Sequence, residues 1–316
     1  MMQDTLGRTI DYLRLSVTDL CNYRCQYCMG CEGVPKRSHQ DILSIEELAQ
    51  IGEAAIRCGV KKIRLTGGEP LVRRGILELC RQLRKIEGLK ELTMTTNGAA
   101  LPQMAAQLKD AGVDRLNISL DTLRPERVRE ITRCGELDDV LRGLQAAEKA
   151  GFTDTKLNVV LLGGINDDEI ADFAALTGER PYCVRFIELM PMGVCADWPQ
   201  ERFLSADAVL QAVPELEFAG QSGVSEVYRL PNCKGSVGLI RPMSHTFCGL
   251  CNRIRVTADG KLKPCLHSLQ EYDLRGLQGE DLETAIRRAV EKKPSEHHLL
   301  KQHRSDTERQ MHEIGG

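Results

Sequence analysis

Short β-branched runs that alternate with helix-patterned stretches predict an α/β fold: a partial (βα)6 TIM-like barrel with a small β-rich C-terminal extension. Three observations carry this. There are six βα-type repeats in the first part of the chain, the pattern changes after Glu188-Leu189-Met190-Pro191, and 316 residues suffice for one barrel-sized core plus an appendage. Eight repeats would close a full barrel, so six make it partial. The boundary is placed at residue 200, with a barrel over 1–200 and an extension over 201–316.

The first strand is Leu13 to Val17. A helix follows over Ile45 to Cys58, with Ser44 and Glu47 in capping-box spacing. Lys61 to Thr66 is a strand, Arg74 to Ile86 a helix, Glu91 to Thr96 a strand, and Pro102 to Ala111 a helix that ends at Gly112. Asp114 to Leu120, a helical pair through Ala150, Thr155 to Leu161, a helix near Asp167 to Thr177, and Cys183 to Leu189 complete the series. The extension carries short strands at Val224 to Leu230 and Val237 to Arg241. It also has a hairpin from Ile254 to Lys263 that turns at Ala258-Asp259-Gly260, and a last helix near Leu282 to Lys292. Met192 to Phe203, with Cys195 and Trp198, has no readable pattern, and the polar end at Gly315-Gly316 reads as a frayed terminus.

Alternate residues of a strand point to opposite faces. Leu13, Leu15 and Val17 therefore oppose Tyr12, Arg14, Ser16 and Thr18, and Ile63 and Leu65 oppose Lys62, Arg64 and Thr66. Leu116, Ile118 and Leu120 oppose Arg115, Asn117 and Ser119, while Leu157 and Val159 oppose Lys156 and Asn158. The apolar faces suit the outer helices. The polar faces, with Arg185 on the last strand, would line the lumen, where unpaired cations cost several kcal/mol each unless a polyanion compensates them.

Composition excludes several classes. Net charge is −3, from 42 basic and 45 acidic residues, so no global field attracts nucleic acid or an anionic membrane. Aromatics at 4% give no stacking surface for single strands. No apolar run reaches the ~18 residues of a membrane span and no secretory leader is seen, so the expected place is the cytoplasm, where thirteen cysteines stay reduced.

Six of those cysteines form two triplets: Cys21, Cys25 and Cys28, then Cys248, Cys251 and Cys265. Structural zinc takes four protein ligands, so each triplet is one ligand short. Three thiolates on a cubane iron–sulfur cluster would leave one iron open to a small molecule. The second triplet also resembles half of a zinc ribbon, which His245 or His267 would complete. Cys58, Cys80, Cys134 and Cys183 read as buried apolar thiols. Cys31, Cys195 and Cys233 stay open.

The C-x3-C-x2-C loop, with Tyr27 before its last cysteine, resembles that of radical S-adenosylmethionine (SAM) enzymes, and Gly67-Gly68-Glu69-Pro70 resembles their loop for the methionine amino group. Further runs are similar to the GTP 3′,8-cyclase family of molybdenum-cofactor biosynthesis. They include Leu13 to Asp19, Thr95-Thr96-Asn97-Gly98, Asn117 to Asp121, Gly164 to Asp167, Arg185 to Glu188, Ile240 to His245, Cys251 to Arg255 and Gly260 to Leu266. The resemblance implies two [4Fe-4S] clusters, one on each triplet, with SAM held at Tyr27, Gly68, Ser119 and Met190. It implies GTP at Arg14, Arg64, Thr95, Lys156, Arg253 and Arg255, its purine on the open iron of the second cluster; Lys62 and Arg185 would serve the triphosphate or structural pairing. It further implies an external one-electron donor, hand-off to cyclic pyranopterin monophosphate synthase, a monomer or homodimer, and a Gly315-Gly316 tail that reaches back to the active site.

One departure stands beside the first cluster. Gly30-Cys31 replaces a proline usual in the family, and Cys31 is expected not to be a ligand. Two other classes are set against this reading. A radical SAM peptide maturase would need more cysteines after Cys265 and has no use for lumenal cations, and a zinc-ribbon binding module would leave the first triplet idle.

Overall fold

The computed structural model describes residues 1–34 and 38–315. Twelve strands form one sheet: β1 (Tyr12–Ser16), β2 (Lys62–Thr66), β3 (Glu91–Thr96), β4 (Arg115–Ser119), β5 (Lys156–Leu161), β6 (Cys183–Glu188), β7 (Glu217–Ser222), β8 (Ser225–Arg229), β9 (Ser236–Ile240), β10 (Arg253–Val256), β11 (Lys261–Lys263) and β12 (Tyr272–Asp273). The helices are α1 (Ile45–Cys58), α2 (Ile76–Arg84), α3 (Leu101–Asp110), α4 (Pro125–Thr132), α5 (Leu137–Lys149), α6 (Ile170–Glu179), α7 (Asp207–Ala212), α8 (Gly279–Glu291), α9 (Leu299–Gln302) and α10 (Met311–Ile314).

The strand order is β12-β11-β10-β1-β2-β3-β4-β5-β6-β9-β8-β7. β1 to β6 pair in parallel and in chain order, as βα repeats require. The C-terminal part then adds a parallel strand at each end, β10 beside β1 and β9 beside β6, and each continues into antiparallel partners. The eight-stranded parallel stretch therefore draws strands from both sides of residue 200.

The face pattern holds. Leu13, Leu15, Val17, Ile63, Leu65, Leu116, Ile118, Leu157 and Val159 are buried under the helix layer, where Phe173 of α6 meets Phe186 of β6 edge-to-face at 6.2 Å between ring centroids. α1 begins with the capping box: Ser44 Oγ accepts from the Glu47 N–H at 3.1 Å and Glu47 Oε2 accepts from the Ser44 N–H at 2.7 Å. Met192 to Phe203 folds as two short 3-10 turns, with the Cys195 thiol buried against the carbonyls of Met190 and Met192. Among the described residues no helix is long and apolar enough to cross a membrane, and all thirteen cysteines are free thiols.

Candidate active site

Both cysteine triplets line one cavity of about 580 Å³ over the polar face of the parallel strands. The first triplet lies in the loop after β1. That loop docks on the C-terminal end of α4, whose last carbonyls have no intrahelical donors: Arg24 N–H donates to Thr132 O and Gln26 N–H to Ile131 O, each at 2.9 Å. Arg133, in the left-handed region at φ +62°, donates to the carbonyls of Arg24 at 3.0 Å and Met29 at 3.1 Å. The loop is thus fixed from both flanks. Burial pushes the Cys21 thiol up to about 11 and Cys28 up to about 12, and Cys25 is raised well above the usual range; repulsion from neighbouring thiols adds to the rise at Cys25 and Cys28. Three thiolates there need cationic partners, which the irons of a cluster are.

The glycine turn after β2 lies against this loop. A Cβ at Gly68 would stand 2.4 Å from Leu20 O and 2.5 Å from Asp19 O, so only glycine allows the approach. Glu69 is buried, and its carboxylate accepts from Leu71 N–H at 3.0 Å, Thr96 Oγ1 at 2.7 Å and Asn97 N–H at 2.7 Å. Burial still raises it to about 7. The Tyr27 hydroxyl donates to Asp121 Oδ2 at 2.6 Å, while Asp121 Oδ1 accepts from Val160 N–H at 2.8 Å. Tyr27, Gly68, Ser119 and Met190 all reach the cavity wall.

The second triplet sits before and after the β10–β11 hairpin, and Cys248, Cys251 and Cys265 share the cavity with Arg253, Arg255 and His267. Burial pushes the Cys251 thiol up, but Arg253 and then Lys293 outweigh it and hold the group near 6. Among the described residues no three His, Cys, Asp or Glu side chains converge as on a single ion; a cubane sets its thiolates on different irons and so farther apart. His267 Nδ1 pairs with Ser305 Oγ at 2.9 Å, and His245 Nδ1 with Ser244 Oγ at 3.1 Å.

Between the triplets the wall is cationic. Arg64, Lys156, Arg185 and Arg255 are buried and Arg14 is half-buried. Burial, then the neighbouring guanidiniums, pulls Arg14 and Arg64 down to about 9, Arg255 to about 10 and Lys156 to about 8. Thr95 Oγ1, Asn158 Oδ1 and Arg185 Nε are buried with no hydrogen-bond partner among the described residues. Crowded cations and orphaned polar atoms together fit a bound polyanion. Lys62 instead pairs with Glu91 at 2.6 Å. Gly315 lies among these groups: its carbonyl accepts from Arg255 Nη1 at 2.7 Å, and Gly316 is outside the described residues.

Two positioning groups stand in runs singled out in the sequence, with no local sign of what they hold. Glu188, at the end of β6, accepts from Ala206 N–H at 3.0 Å, Met243 N–H at 2.8 Å and Ser244 N–H at 2.9 Å, and so ties the Pro242 loop to the rim. Asp121 was readable only as part of a run, and its bond to Tyr27 spans 94 positions.

A parallel βα array with a three-cysteine loop after its first strand and a glycine turn after its second defines the radical SAM class, and the family model for the radical SAM superfamily matches residues 15–177. A second model, molybdenum cofactor synthesis C, matches residues 182–299. The chain is 51% identical over its whole length to the GTP 3′,8-cyclase of Peptoclostridium acidaminophilum (98% of that protein) and 48% identical to that of Alkaliphilus metalliredigens (100% of both). The chain belongs to the GTP 3′,8-cyclase family. Its fold is similar to that of Streptococcus suis SuiB bound to S-adenosylmethionine, with a TM-score of 0.62 at 13% identity over 97% of this chain and 77% of that one.

Proposed function

We infer that the chain is a radical SAM enzyme that converts GTP to (8S)-3′,8-cyclo-7,8-dihydroguanosine 5′-triphosphate, the first step of molybdenum-cofactor biosynthesis. One observation carries the reading: two cysteine triplets and nine lysine and arginine side chains share the wall of a single cavity. Residues 1–200 hold the first [4Fe-4S] cluster on Cys21, Cys25 and Cys28 and bind SAM at Tyr27, Gly68, Ser119 and Met190. Residues 201–316 hold the second on Cys248, Cys251 and Cys265. When bound, the first cluster and SAM would, with an electron from an external donor, provide a 5′-deoxyadenosyl radical able to take hydrogen from C3′ of GTP.

The chain's own part is placement. Arg14, Arg64 and Lys156, with Arg185, would hold the triphosphate, and Arg253, Arg255 and Thr95 would fix the nucleoside on the wall shared with the second triplet. The C3′ radical would then bond to C8, and a second electron from the external donor, with one proton, would complete an isomer of GTP. A primary-carbon radical attacks whatever it meets, so selectivity rests on holding C3′ nearest and excluding water. The Asp121 bond to Tyr27 and the Gly68 close approach fix the SAM side of that geometry. Free thiols and oxygen-sensitive clusters suit the reducing cytoplasm.

The test is anaerobic reconstitution followed by SAM, dithionite and GTP. Mass spectrometry should find 5′-deoxyadenosine and a GTP isomer of unchanged mass, the isomer vanishing in Cys265→Ser. Deoxyadenosine with untouched GTP would overturn the substrate.

Affinity for GTP should depend on pH through Lys156. Burial, with Arg185 and Arg115 nearby, lowers this ammonium to about 8, and a triphosphate would restore it. Below that pH the group is already charged; above it, binding must take up a proton. Calorimetric affinity should therefore fall as pH rises through about 8, and Lys156→Arg should flatten the fall.

A further inference from the structure

The stretch from Lys293 to His297, which has no part in the proposed reaction, interacts with all three thiols of the second triplet, by charge at Cys251 and Cys265 and by a backbone hydrogen bond at Cys248. Lys293 follows α8 and is only 5% exposed. Its Nζ donates to Arg253 O at 2.8 Å and to Pro264 O at 2.5 Å. The first of these carbonyls lies two residues after Cys251, and the second immediately precedes Cys265. Both of those thiols interact electrostatically with the ammonium. The next carbonyls, Pro294 and Ser295, accept from Arg8 at 2.7 and 3.2 Å, and Arg8 also donates to Cys248 O at 2.8 Å. The His297 N–H reaches the Cys248 thiol itself.

We propose that Lys293 is the charge-compensating positioning residue of the second cluster, an inference that rests on reading Cys248, Cys251 and Cys265 as a cluster site. An ammonium has three N–H groups, and two of them are fixed on carbonyls from both arms of the hairpin. The cation therefore cannot swing away to solvent. A fixed positive charge beside a thiolate-bound cluster favours its reduced, more negative form and raises its potential; outer groups of this kind set cluster potentials. A lysine that merely ties two carbonyls together would have no such effect, and any neutral donor would replace it.

The experiment is an EPR-monitored redox titration of the reconstituted full-length protein, with iron analysis. The first cluster's signal is identified by its response to SAM. Lys293→Gln, a neutral donor, should keep its iron and shift the second cluster's midpoint to lower potential, with the first unchanged, and Lys293→Arg should restore it. An unchanged midpoint in Lys293→Gln at full iron would overturn the proposal, as would Lys293→Arg behaving like Lys293→Gln. If Lys293→Gln loses the second cluster, Lys293→Arg must recover the iron; loss in both overturns the role of charge. A wild-type protein that holds about four irons instead of about eight is a separate failure, because it removes the second cluster itself.

Discussion

Cys25→Ala should lose 5′-deoxyadenosine formation to background and about half of the iron, with GTP binding kept. The backbone around Cys25 does not depend on its thiol. Its carbonyl accepts from Cys28 N–H at 2.9 Å and Met29 N–H at 3.1 Å, and the adjoining amides are docked on α4. Alanine therefore leaves the loop in place and removes one proposed iron ligand. The cations proposed to hold GTP belong to β1, β2, β5, β6 and β10, which the change does not reach. Iron analysis, mass spectrometry and calorimetry check the three parts separately. Deoxyadenosine at wild-type rates from Cys25→Ala would remove Cys25 from the ligand set.

Gly315→Ala should lower turnover of GTP by roughly 100-fold, the cost of a misplacement near 1 Å, with both clusters loaded. Gly315 has φ +79°, and a Cβ there would lie 2.3 Å from Thr66 Oγ1 and 3.2 Å from Ser16 Cβ. The tail cannot slide to relieve this. Upstream, Ser305 N–H donates to Pro191 O at 3.0 Å, Lys263 Nζ to Thr307 Oγ1 at 3.2 Å, and Arg309 pairs with Asp259 and Glu271. The added methyl must therefore push Gly315 off Arg255, a residue assigned to the substrate. Thr66→Ala in the Gly315→Ala background removes the nearest atom and should recover part of the rate. The dihedral strain, on the order of 1–2 kcal/mol, remains. Full activity of Gly315→Ala in steady-state assays would show that the tail's position is immaterial to turnover.

The barrel strands were legible because their signals are local. Period-two alternation put Leu13, Leu15 and Val17 on one face and Arg14 on the other, and Ser44 with Glu47 marked the start of α1. Spacing alone marked the cysteine triplets. What stayed hidden depends on pairing between distant parts of the chain. Nothing near Ile254 says that it will lie beside Leu13, and nothing near Val237 says that it will lie beside Val184. β7 was missed because Phe218 is exposed and Gly220 interrupts the strand's register, so the alternation is blurred. The polar faces announced a cationic lumen, yet they did not separate Arg64 from Lys62: both line the cavity, but Lys62 is paired with Glu91 of the neighbouring strand. Arg8 and Lys293 stand at opposite ends of the chain, and only the folded structure joins them at one triplet.

The parallel pairing of β1 with β10 also bears on how the protein is made. β1 acquires β2 early, but its other edge has no strand until residue 253 has left the ribosome. For most of translation the first strand, next to the cysteine loop, presents unsatisfied backbone donors and acceptors, a template for pairing with other chains. Loss of the last quarter of the chain, by a premature stop or by proteolysis, would return β1 to that state. Such truncation should yield insoluble protein in the cell, so lesions near the C-terminus should reduce abundance as well as activity.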